Sequence, residues 1–169
     1  MKNLYLKVVV LGLFLPFLFL YSEKTMAQKM SLDELTQLYV WNDTSKIDAF
    51  FAPKNWYYMS SEIENGDQVD VWMSEKAQGH IIQAMFVLVS NPLNSAVAHN
   101  QATLHLLSAQ QFSDLQEQAS KANFAFLKEE KKEKSHIEFF RNDKFLLVFT
   151  NDRESQLPYK VMIANLKKK

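Results

Sequence analysis

The order in which helical and alternating spacing follow one another constrains this chain most. Ser31-Leu32-Asp33-Glu34 has the form of a capping box, and Leu35, Leu38 and Tyr39 follow at helical spacing. A second start signal, Asn42-Asp43-Thr44-Ser45, leads into Ile47, Phe50 and Phe51 before Pro53 stops the helix. From Trp56 the period shortens to two. Trp56 to Glu64 and Gln68 to Ser74 are alternating runs joined by Asn65-Gly66, a strong hairpin signal because both turn positions need positive φ. Ile81 to Ser90 predicts a buried third strand ended by Asn91-Pro92, and Ala102 to Leu107 a fourth.

The same order then recurs. Ser108 to Ala122 predicts a helix with Phe112, Leu115, Ala119 and Ala122 on one face, capped at Ser108 or Ser113. Strands follow at Phe124 to Lys131, Ser135 to Arg141, Phe145 to Asn151 and Tyr159 to Leu166, the last entered through Pro158. Sliding the chain on itself by 68 residues pairs Asn55-Trp56 with Asn123-Phe124 and Val69-Asp70-Val71-Trp72 with Ile137-Glu138-Phe139-Phe140. Few of these pairs are identities, so the expectation of a tandem duplication rests on pattern. The fold class expected is α+β: two helix-plus-four-strand antiparallel meanders, residues 28–107 and 108–169, with helices on one face of a curved sheet. In outline this is similar to duplicated bacterial inhibitor proteins such as the β-lactamase inhibitor protein family. No motif carries that likeness; an inhibitor or immunity-like role would be a special case of a binding module, and no residue names its target.

Counting outward from Asn65-Gly66 sets Met59 opposite Trp72, Ser61 opposite Asp70 and Tyr57 opposite Ser74. Tyr58, Val69, Val71 and Met73, with Ile137 and Phe139, are then expected beneath the helices. Tyr57, Met59 and Trp72 fall on the far face, and counting around Glu133-Lys134 adds Leu127 opposite Phe140. A large apolar set on an uncovered face suits a protein partner or a second copy of the chain. The expected binding residues are therefore Trp72, Phe140, Tyr57, Met59 and Leu127.

Little chemistry competes with that reading. The three glycines, Gly12, Gly66 and Gly79, stand alone, whereas phosphate loops, dinucleotide fingerprints and nucleophile elbows need grouped ones. Cysteine is absent, which removes disulfides, thiol nucleophiles and thiolate metal sites together. His80, His99, His105 and His136 lack the pairing of a helical zinc site, so no metal and no cofactor is expected. His105 alternates with Leu104 and Leu106 and should point away from them. Glu129 to Lys134 is a mixed-sign run that protects an edge. The alternative is an envelope small-ligand carrier or hydrolase, whose pocket between sheet and helices would use Asp70, Glu138 or a histidine.

Residues 1–27 give an expected address. Lys2 and Lys7 flank an apolar run from Val8 to Tyr21, and Thr25-Met26-Ala27 offers a cleavage site before Gln28. The run is shorter than the roughly 20 residues of a spanning helix, and Pro16 interrupts it. Without a cysteine after the cut no lipid can be attached there, so no stable membrane anchor is expected after cleavage. A cysteine-free exported domain suits a bacterial periplasm or exterior. Removing Lys2, Lys7, Lys24 and Glu23 from 19 basic and 19 acidic residues leaves 16 and 18, a net charge of about −2. That balance excludes nucleic acid as the expected partner, and Lys167-Lys168-Lys169 is read as a solvated tail.

Overall fold

The computed structural model describes residues 29–41, 43–76, 81–90 and 101–166. The export segment, Asn91-Pro92, His80, His99 and the three terminal lysines lie outside them. Helix α1 is Leu32–Trp41, α2 is Thr44–Phe51 and α3 is Ala109–Lys121. The strands are β1 Trp56–Glu64, β2 Asp67–Lys76, β3 Ile81–Ser90, β4 Gln101–Leu106, β5 Ala125–Lys131, β6 Ser135–Arg141, β7 Phe145–Asp152 and β8 Tyr159–Asn165. All eight form one open antiparallel sheet, so the fold is α+β.

Local chemistry explains where each element begins. At α1 the Ser31 N–H donates to Glu34 Oε2 at 2.8 Å and the Glu34 N–H returns a bond to Ser31 Oγ at 3.2 Å, closing the capping box. Asp43 caps α2 by accepting from the N–H groups of Ser45 and Lys46. Of the two serines offered for α3, Ser108 is the cap: its Oγ accepts from the Gln111 N–H at 3.2 Å. Asn65 (φ 53°) and Gly66 (φ 89°) both take the left-handed conformation that a tight hairpin turn requires. Asn55 (φ 57°) and Asn123 (φ 59°) take it where the helical segments hand over to β1 and β5.

The strands run β1-β2-β3-β4-β8-β7-β6-β5, an order that reads the same from either edge when β1–β4 are matched with β5–β8. Its midline lies between β4 and β8, where Thr103 faces Met162. One face of the sheet receives all three helices. Phe51 of α2 stacks on Trp56 with centroids 4.7 Å apart and meets the Trp72 and Phe86 rings at 6.0 and 5.5 Å. Phe112 of α3 meets Phe149 at 5.5 Å, and Leu35, Leu38, Ile47 and Leu115 fill the layer between, each fully buried.

The even-numbered residues of β2 and β6 therefore face the helices, which reverses the face assignment drawn from the sequence. Trp72 is fully buried, and its Nε1–H donates to Asp48 Oδ1 of α2 at 2.5 Å. Phe140 is half-buried and packs against Phe126 and Phe149. Val69, Val71, Met73, Ile137 and Phe139 lie on the opposite face instead. Asp70 and Ser74, the polar neighbours of Trp72 on that face, are both buried. Asp70 is satisfied by the Tyr58 hydroxyl at 3.1 Å and the Gln68 amide at 2.9 Å. On β2 and β3 the buried face takes the larger rings, Trp72 and Phe86, and leaves Val71, Met73, Met85 and Val87 outside, whereas on β6 Phe139 stays on the outer face.

Candidate functional site

The face opposite the helices is built from rows of directly paired residues. Its central row runs Val71, Val87, Thr103, Met162, Val148 and Phe139 across six strands, with no charged group. A second row runs Met73, Met85, His105, Lys160, Thr150 and Ile137. Because strands alternate, every one of these side chains points away from the helical layer. Close lateral packing buries Thr103 and Val148, and the other residues of the two rows are half-exposed. Among the described residues no helix lies over this face, and none is long and apolar enough to cross a membrane.

The register expected from the hairpin turns holds only in part. Ser61 faces Asp70 as counted, and the same sum continues to Ser60 and Val71. Met59 is then an extra residue, so Tyr58 rather than Met59 faces Trp72, and Tyr57 faces Met73 rather than Ser74. The second half behaves alike: Lys128 faces Phe139, Leu127 is the extra residue, and Phe126 rather than Leu127 faces Phe140. Met59 and Leu127 are 68 positions apart in the sequence.

The five residues expected at the binding face are consequently separated. Tyr57 shares the uncovered face with Met73 and is exposed. Met59 and Leu127 are exposed bulge residues near opposite edges. Trp72 and Phe140 lie beneath the helices and leave the set.

The carboxylate pair of the alternative reading is also separated. Asp70 on β2 and Glu138 on β6 have four strands between them, which places their backbones on the order of 20 Å apart at normal strand spacing. Glu138 accepts a hydrogen bond from the Gln116 amide of α3. Its direct neighbour Glu129 approaches His136 Nε2 at 3.0 Å, and the ligating atoms of Glu129, His136 and Glu138 lie within 4.8 Å of one another. The ligand types would suit a divalent cation. However, the Lys131 ammonium, 2.9 Å from Glu129, already neutralises that carboxylate. Lys131 and then His136 hold Glu129 below its ordinary pKa, as a network of surface ion pairs does. The sequence could not show this cluster, because only the β5–β6 register makes Glu129 and Glu138 neighbours.

His105 points away from buried Leu104 and Leu106, as its place in the alternation requires. It enters a half-open cleft of about 590 Å³, together with Ile81, Met85, Leu107, Leu157 and Lys160. Burial, and secondarily the Lys160 charge, depress its pKa to about 4, so the imidazole is neutral near pH 7. The cleft joins three strands that are distant in sequence to the Ser155–Leu157 loop, so no local motif announces it. No protein-family model, curated protein or solved structure matches this chain, so its functional reading rests on its own geometry.

Proposed function

We propose that this is an exported, non-enzymatic interaction module that presents the uncovered face of its sheet to a protein partner or a second copy of itself. The observation that carries this reading is the central row. Half-exposed Val71, Val87, Met162 and Phe139 stand in one row with buried Thr103 and Val148, on a face that no helix covers among the described residues. Monomeric soluble proteins rarely expose a continuous apolar patch of several hundred Å². Residues 1–27 supply the address in this reading, and export delivers a protein beginning at Gln28.

A tandem duplication accounts for the scaffold. Four features support it: the mirrored strand order, the left-handed Asn55 and Asn123, the extra residues Met59 and Leu127, and the buried aromatics Trp56 and Phe124 at equivalent places. The uncovered face is then the surface both halves share.

The test is a double variant at half-exposed positions of the row, Val87→Lys with Met162→Lys, made in the protein starting at Gln28. Sedimentation and crosslinking in envelope extract should show a defined complex or dimer for the parent and its loss in the variant, with the far-UV spectrum retained. A parent that is monomeric and uncomplexed at every concentration, or a variant that keeps the same complex, contradicts the reading.

A further inference from the structure

We infer that the cleft over β3, β4 and β8 is a binding site for a small amphiphilic carboxylate, of the class of a medium-chain fatty acid. Its polar end is set by strand register. His105 on β4 faces Lys160 on β8 directly, with Met85 on its other side, so an imidazole and an ammonium stand together on the cleft floor. The walls are mainly apolar, Ile81, Ile82, Leu107 and Leu157, with Ser155 and Gln156 of the β7–β8 loop as their polar part. Ile81 is 52% exposed and Leu107 41%, so a hydrocarbon chain laid against them would remove apolar surface that the fold leaves in water.

The donors are uncommitted. Among the described residues Lys160 has one ionic neighbour, Asp152, at 3.9 Å, which is too long for a hydrogen bond. The Lys160 side chain is nonetheless only 32% exposed. Among the described residues His105 has no hydrogen-bond partner, and its neutral ring keeps one N–H donor. An ammonium and a single N–H match the two acceptor oxygens of one carboxylate. With one full positive charge available, a dianionic phosphate would leave a charge uncompensated in a partly desolvated site. A cationic amphiphile would oppose Lys160. The volume, about 590 Å³, lies within the usual range for small-ligand sites.

The cleft takes in Met85, His105 and Lys160 of the second row, on the central strands of that face, but its ligand is a small molecule and its variants leave the central row unchanged, so its failure and that of the docking surface are distinguishable. The experiment is a titration of the protein beginning at Gln28 with sodium decanoate below its micelle concentration, followed by calorimetry and by amide chemical shifts. Saturable one-to-one binding is expected, with shifts centred on Met85, His105 and Lys160. Lys160→Met should weaken it by about ten-fold or more, the loss of one charge-assisted hydrogen bond. His105→Asn, a second variant at the polar end, should weaken it less, and Leu107→Ser should weaken it through the tail. Acetate, which lacks the tail, and decyltrimethylammonium, which inverts the charge, should not bind the cleft. Absence of saturable decanoate binding, equal binding of the cationic amphiphile, or unchanged affinity in both folded polar-end variants would overturn the assignment.

Discussion

The β1–β4 and β5–β8 parts of the sheet are filled differently. In the first, Asp48 of α2 takes the indole N–H of Trp72, and Phe51 one turn later closes over Trp56, Trp72 and Phe86. In the second, the positions 68 residues on are Gln116, Ala119 and Phe140. Gln116 still reaches the second strand of its meander, but it bonds Glu138, and Ala119 leaves the space that Phe51 occupies in the first half. Trp72 is consequently sealed while Phe140 remains half-exposed. One end of the sheet thus carries a closed aromatic cluster, and the other a more exposed one beside Glu138. Both parts contribute their inner strands, β4 and β8, to a common core around Leu104, Leu106, Val161 and Ile163.

That contrast predicts unequal costs for equivalent substitutions. Trp72→Ala should cost about 3–5 kcal/mol, the usual range for emptying a buried aromatic site, whereas Phe140→Ala should cost about 1–2 kcal/mol because its ring is already partly in water. Urea unfolding of both variants measures the difference, and equal losses would break the comparison. A smaller asymmetry is expected at the helix positions. Asp48→Ala strands a buried indole N–H and should cost about 1–3 kcal/mol. Gln116→Ala should cost less than about 0.5 kcal/mol, since the half-exposed Glu138 carboxylate can turn to solvent. Thermal unfolding of the pair decides this, and a Gln116→Ala loss as large as that of Asp48→Ala would show a second half as tightly sealed as the first.

Much of the fold was legible in the chain. Ser135–Arg141 and Ile81–Ser90 have the bounds their alternation and turn residues indicate, and Asn65-Gly66 and Ser31/Glu34 do the jobs their side chains and backbones suit them for. Two features were not legible. Met59 and Leu127 are as acceptable in a regular strand as in a bulge, so nothing local marks the extra residue. The choice of buried face turned on Asp70 and Ser74, polar residues whose burial is decided by partners and volume elsewhere in the fold. The candidate sites were illegible for a related reason. Rows across β2, β3, β4, β8, β7 and β6 combine residues from both halves, and only the β4–β8 pairing brings His105 and Lys160 together.

Among the described residues, helices cover one face of the sheet and none covers the other. Because the chain contains no cysteine, single substitutions report on this directly. Ala84→Cys lies on the helical face, where Ala84 is 2% exposed, and Val87→Cys lies in the central row of the other face. Under native conditions a thiol reagent should modify Val87→Cys rapidly and Ala84→Cys only on unfolding, at the same rate across protein concentrations too low for association. Equal protection of both thiols in the dilute monomer would mean that a layer of the chain covers the second face, and would contradict the account.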